Sequence, residues 1–181
     1  MRQTILAKRY AKALFAVSQE EGTSEAYRET LNVLGDFLEK YPEAIDALTN
    51  LLYPMELKEK VMSHLISELQ ADQFMSNFLN LVVQKKRADI LPEIASQFQA
   101  LVDADQNVSR GTLVTALEIS GDLQEKVQQA LENITGKKVI LMAQIDPAII
   151  GGIVAKVGDL VMDGSIKTQL AGLNESIKGS E

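Results

Sequence analysis

Residues 103–119, DADQNVSRGTLVTALEI, separate two kinds of pattern. Upstream of them apolar residues recur every three or four positions, as on helices; downstream they gather in short β-type runs. The polar stretch from Asp103 to Arg110 therefore reads as a domain boundary, and Leu113 to Ile119 as the first strand. Upstream, the spacing predicts helices over roughly 4–19, 24–40, 42–51, 54–70, 73–87 and 90–105. Gly22-Thr23-Ser24 closes the first and caps the second. Pro42, Pro54 and Pro92 fall where a first helical turn tolerates a missing N–H, and Asp72 and Asp89 suit N-caps. Downstream, a helix over about 121–135 carries Leu123, Val127, Ala130, Leu131 and Ile134 on one side. Strands follow at Val139 to Ile145, Ile153 to Val157 and Leu160 to Met162, with a tight hairpin at Gly158-Asp159. Gly164-Ser165 opens a last helix bearing Ile166, Leu170, Leu173 and Ile177. The expected architecture is mainly α: an N-terminal six-helix bundle over 1–105, then a small α+β domain over 106–181.

Composition narrows the function. The chain has 181 residues, enough for two small cores, and 24% of them are charged, as in an ordinary soluble protein. No apolar run approaches the roughly 20 residues of a membrane helix, so membrane association is expected to be indirect. The net charge of −7 lacks the basic footprint of a nucleic-acid binder. Cysteine is absent and histidine occurs once, which excludes disulfides and thiolate metal sites and leaves little for nucleophile–base chemistry. Arg2, Lys8, Arg9 and Lys12 precede the first acid, Glu20, as in an organelle-targeting peptide. The stretch is only mildly enriched in Ser and Thr and has no evident processing site, which favours a structural helix.

Two helices are apolar over too wide an arc. A helix in a one-layer bundle needs a stripe somewhat over 100° wide. On a wheel, Leu6, Ala7, Tyr10, Ala11, Ala13, Leu14, Phe15 and Val17 fill roughly 200° of the first helix. Phe74, Met75, Phe78, Leu79, Leu81, Val82 and Val83 do the same on the fifth, again roughly 200°. Either both helices are central in the bundle, or they leave a shared apolar groove for a helix of another protein. In the second case Ala7 and Ala11 allow the closest approach.

Motifs for chemistry are missing. Gly136-Lys137-Lys138 lacks the upstream glycine of a phosphate loop, since position 131 is leucine. His64 falls near the polar margin of its helix. Asp146, Asp159 and Asp163 are the nearest approach to a carboxylate cluster, but each sits beside a turn signal, where aspartate bonds to local backbone. The rival reading they would carry is a small acid-catalysed or metal-dependent hydrolase. Lys85-Lys86-Arg87 places positive charge at the end of the fifth helix, where it complements the helix dipole and suits a contact with an acidic partner.

Three ordered segments carry a resemblance. Arg9-Tyr10-Ala11-Lys12-Ala13-Leu14-Phe15 is the first, and Phe78 through Lys86-Arg87 to Leu91-Pro92 and Phe98 the second. The third is the most specific: Ile145-Asp146, Ile149, Gly151-Gly152-Ile153, Lys156-Val157-Gly158-Asp159, Asp163-Gly164-Ser165-Ile166, Leu170 and Leu173. Together they resemble the delta subunit of F-type ATP synthases, the family of the mitochondrial oligomycin-sensitivity-conferring protein. Where that family often has Asn-Gly-Arg, this chain has Lys85-Lys86-Arg87, and losing the glycine predicts a slightly longer fifth helix. The resemblance implies a six-helix N-terminal domain whose first and fifth helices bind the N-terminal helix of an alpha subunit. The residues placed there are Ala7, Tyr10, Ala11, Leu14, Phe15, Phe74, Phe78, Leu79 and Val82. It also implies a C-terminal domain engaging the C-terminal end of the b subunit, with no cofactor, metal or catalytic residue. The implied protein is a non-catalytic stator connector, peripheral on the cytoplasmic face of the bacterial inner membrane, resisting rotor torque during proton-driven ATP synthesis. The alternative is an unrelated helical adaptor with an α+β appendage.

Overall fold

The computed structural model describes residues 2–117, 119–147, 149–158 and 160–170, in two compact units that meet in sequence after Val102. The chain is mainly helical, with a four-stranded sheet in its C-terminal part. Asp159, Leu173 and Ile177, named in the hairpin and the last helix, lie outside the described residues.

The first unit is built from α1 (Arg2–Glu21), α2 (Ser24–Lys40), α3 (Pro42–Thr49), α4 (Met55–Glu68), α5 (Gln73–Gln84) and α6 (Leu91–Asp105). A 3-10 turn, Ala88–Ile90, precedes α6 and contains Asp89, which is therefore not the cap of that helix. Leu31, Leu34 and Leu38 of α2 pack with Leu48, Met62, Met75, Leu79, Ile94 and Phe98 in one buried cluster. Asp72 does cap α5, its Oδ1 accepting from the Met75 N–H at 2.8 Å, and its Oδ2 accepts from the buried Tyr27 hydroxyl at 2.7 Å. Burial, then the bond to Asp72, pushes the Tyr27 hydroxyl above its ordinary pKa.

Helix α5 stops at Gln84, against the expectation that it runs on to Arg87. Lys86 turns into the left-handed region at φ 56°. Its N–H donates to the Val83 carbonyl at 2.8 Å, and the Arg87 N–H donates to the Val82 carbonyl at 3.0 Å. This bond pair is the Schellman arrangement, usually built on glycine. Closing two orphan carbonyls offsets the roughly 1–2 kcal/mol that a side chain pays in that conformation. Helix α4 ends alike at Gln70, with φ 51°. Loss of the glycine did not lengthen the helix; it placed a lysine in the glycine's conformation.

The second unit contains β1 (Val108–Thr115), α7 (Gly121–Thr135), β2 (Lys138–Ile145), β3 (Ile153–Val157) and β4 (Leu160–Asp163), in sheet order β2-β1-β3-β4. β1 and β2 are parallel with α7 as their crossover, while β3 pairs antiparallel with β1 and β4. Leu113, Val139, Leu141, Ala155 and Val157 share a core with Leu131 of α7. Helix α7 stops at Gly136, whose φ is 66°, so Gly136-Lys137-Lys138 is a helix stop feeding β2. Glu132 reinforces the junction, its carboxylate accepting from the Val139 N–H at 3.0 Å.

The boundary stretch differs from its reading. Helix α6 continues to Asp105, a turn at 106–107 follows, and β1 begins at Val108 and ends at Thr115 rather than spanning Leu113 to Ile119. The polar residues are satisfied in place. Asp103 takes both ends of the Arg110 guanidinium fork at 2.7 and 3.1 Å, and Val108 to Gly111 pair with Lys138 to Leu141.

Candidate functional site

The wide apolar arcs resolve into two stripes on each helix. Along α1, Ala7, Ala11 and Leu14 point into the core, at most 4% exposed. One residue earlier at each position, Leu6, Tyr10 and Ala13 form a second line, half-buried to exposed. On α5 the inner line is Met75, Leu79 and Val82, and the outer line is Phe74, Phe78 and Leu81. All four lines have the spacing i, i+4, i+7, so each runs along one side of its helix. The inner lines are buried in the core; of the outer lines Leu6, Tyr10 and Phe78 pack at its edge, and Ala13, Phe74 and Leu81 are exposed.

The outer lines meet. The Tyr10 and Phe78 rings stand edge to face, centroids 6.3 Å apart and planes at 71°. Beside them lies a recess of about 390 Å³ lined by Leu6, Arg9, Tyr10, Ala13, Phe78, Leu81 and Arg87. Of the nine residues assigned to partner binding, Tyr10 and Phe78 line it. Phe74 continues the α5 line one turn toward the N-terminus, 51% exposed. Ala7, Ala11, Leu14, Leu79 and Val82 are core, which corrects the expectation that Ala7 and Ala11 give a partner its closest approach. Their small side chains instead let α1 lie close to its own neighbours. Phe15 turns toward Phe98, ring centroids 6.0 Å apart. Leu6, Arg9, Ala13, Leu81 and Arg87 are not among those nine, although Leu6, Ala13 and Leu81 belong to the wide arcs and Arg87 to the basic end of the fifth helix.

The second unit has its own apolar recess of about 610 Å³, lined among others by Leu117, Ile119, Leu123, Ile149 and Ile150. Leu117 and Ile150 are 78% and 75% exposed. Beside it runs the glycine-rich segment. The Ile166 N–H donates to the Gly151 carbonyl at 3.0 Å, and the Gly164 N–H to the Ile153 carbonyl at 2.9 Å. Two backbones thus cross closely, and a Cβ on Gly152, whose φ is 91°, would stand 2.4 Å from the Gly164 carbonyl oxygen. The glycines serve this crossing.

Asp146 and Asp163 behave as turn residues. Asp163 accepts from the Ser165 N–H at 2.9 Å and the Thr168 hydroxyl at 2.8 Å, and these donors, the backbone one foremost, hold its carboxyl below the usual range. The Asp146 carbonyl closes a turn with the Ile149 N–H at 3.1 Å. Among the described residues, no three His, Cys, Asp or Glu side chains converge as metal ligands. His64 is exposed on α4.

Comparison with known proteins gives a consistent result. The family model described as "ATP synthase delta (OSCP) subunit" matches residues 6–177. ATP synthase subunit delta of Desulfotalea psychrophila is 59% identical over 181 residues, covering 100% of both chains. That of Desulfosudis oleivorans is 41% identical, covering 100% of this chain and 99% of the relative. Among solved structures, a chain of the Toxoplasma gondii mitochondrial ATP synthase hexamer superposes with a TM-score of 0.72 at 24% identity, over 95% of this chain and 97% of the other. At that identity the superposition speaks for the fold.

Proposed function

This chain belongs to the ATP synthase delta (OSCP) family, and we propose that the recess between its α1 and α5 receives the N-terminal helix of an alpha subunit. Membership makes it a non-catalytic, peripheral-stalk component of the F-type ATP synthase and sets aside the unrelated-adaptor and hydrolase readings. The observation supporting the site is the doubled stripe: a helix that spends one apolar line on its core has a second to offer only if something else covers it. Two such lines side by side, with an aromatic pair between them, suit an amphipathic helix laid in a groove.

In this reading the six helices of the first unit work as one rigid bundle fixed to the headpiece. The second unit binds the C-terminal end of the b subunit, for which its exposed Leu117, Leu123 and Ile150 offer apolar area. The chain passes torque between the two as a stator connector. Among the described residues no helix is long and apolar enough to cross a membrane, so in this reading the protein reaches the cytoplasmic face of the bacterial inner membrane through the complex.

The test is titration of the full chain with a synthetic peptide of about the first 20 alpha-subunit residues, a length that gives a helix of roughly 30 Å. Saturable binding that Phe78→Ala weakens supports the site. A folded chain with no binding at high micromolar peptide overturns it.

A further inference from the structure

We propose that the α1/α5 recess selects its helix by charge, pairing acidic side chains of the partner with Arg9 and Arg87. This rests on the recess being a helix site, as above, and adds what kind of helix it takes. The floor is apolar and would accept any amphipathic helix; the two ionised groups among its lining residues are both cationic. They stand in a wider island of positive charge. Residues 4–19 contain Lys8, Arg9 and Lys12 and no acid, and residues 73–87 contain Lys85, Lys86 and Arg87 and no acid, on a chain whose net charge is −7.

No Asp or Glu is among the residues that line the recess. Asp72, at the other end of α5, is held by the Tyr27 hydroxyl and the Met75 N–H. Glu59 of α4 accepts from Gln84 at 3.2 Å, and Asp89 lies in the 3-10 turn beyond Arg87. Arg87 is also placed by the backbone: it directly follows the left-handed Lys86, and its N–H is tied to the Val82 carbonyl at 3.0 Å, so its side chain leaves the helix end at a fixed position. A basic amphipathic helix would meet like charge at both arginines, and an acidic one gains rim pairs and faster encounter.

The experiment uses the full chain and the alpha-subunit N-terminal peptide, beside the same peptide with every Asp and Glu changed to Asn and Gln. Each rim pair is expected to change affinity roughly two- to fivefold. Raising salt from about 10 mM to about 0.5 M, which shortens the Debye length from roughly 30 Å to well under 10 Å, should weaken wild-type binding about fourfold or more. Arg9→Gln with Arg87→Gln should reproduce that loss at low salt and flatten the salt dependence to under about twofold, as should the neutralised peptide. Lys8→Gln, which removes the same charge from a position outside the recess lining, should act more weakly than Arg9→Gln. Binding that is saturable but indifferent to salt, to both arginine changes and to peptide charge overturns this inference and leaves the groove standing. An equal effect of Lys8→Gln also overturns it, in favour of a diffuse field. Failure of the wild-type chain to bind the native peptide under any salt removes the groove itself.

Discussion

The substitution pair Ala11→Glu and Ala13→Glu separates core from groove on a single helix. Ala11 is 0% exposed and belongs to the buried cluster. A glutamate there must force its extra atoms into a packed interior, about 1–3 kcal/mol. It must also bury a carboxyl with no partner, for several kcal/mol more. The sum, about 4–6 kcal/mol, takes up much of the roughly 5–15 kcal/mol that holds a domain folded. Ala13 is exposed and lines the recess. A glutamate there gives up only a few tenths of a kcal/mol of helix propensity, partly offset by Arg9 one turn back. Urea unfolding of the full chain, followed by helical circular dichroism, is the stability assay, and titration with the alpha-subunit peptide is the binding assay. Ala11→Glu should unfold the first unit or shift its midpoint by several kcal/mol. Ala13→Glu should keep stability within about 0.5 kcal/mol, as surface changes do, while weakening the peptide about tenfold or more through steric filling of the recess and charge. An Ala11→Glu chain that is as stable as wild type but no longer binds would refute the assignment of Ala11 to the core and restore it to the partner surface. An Ala13→Glu chain that binds normally would refute the recess.

Other substitutions test the framework. Lys86→Gly should relieve the left-handed strain and stabilise the first unit by about 0.5–1 kcal/mol, seen as a rise of a few degrees in Tm; a fall would contradict the backbone assignment. Gly152→Ala should destabilise the second unit by about 2–4 kcal/mol, because its Cβ meets a backbone oxygen that has no room to retreat; near-neutral behaviour in denaturant would rule out the crossing. Because the folded-state pKa of Tyr27 is raised, the stability it contributes is complete below the unfolded value near 10 and is lost as pH rises through the folded one. Tyr27→Phe should therefore lower the urea midpoint at pH 8 by the equivalent of about 1 kcal/mol and shrink the difference between pH 8 and pH 10.5. Glu132 and Asp163 run the other way: both are held below their ordinary values, first by backbone N–H donors, so their contribution is present above pH 5 and fades as pH falls through the folded values. Glu132→Gln with Asp163→Asn should flatten the acid limb of the stability profile.

Much of this protein could be read from the residues alone, and the reason is periodicity. The 3.6-residue spacing up to Asp105, the short apolar runs starting at Val139 and Ile153, and the punctuation at Gly22, Asp72 and Gly136 are local signals, and such signals place most helices and strands. The helix at 121–135 and the strand from Ile153 to Val157 stand where the pattern puts them. The surplus apolar width of α1 and α5 was equally visible, because width is a property of one helix.

What no wheel contains is which half of a wide arc faces inward. That depends on neighbours far away in sequence: Ala7 and Ala11 are core because the bundle closes over that line, whereas Leu6 and Tyr10 pack only at its edge and Ala13 is exposed. The same holds for Lys86, left-handed because two carbonyls needed donors, and for Asp103, which belongs to a helix because Arg110 on the next strand takes its charge. The sequence by itself determined most of the elements and their order. Only the tertiary structure decided which apolar residues are spent on the core and which stay partly exposed, because that depends on packing between elements far apart in sequence.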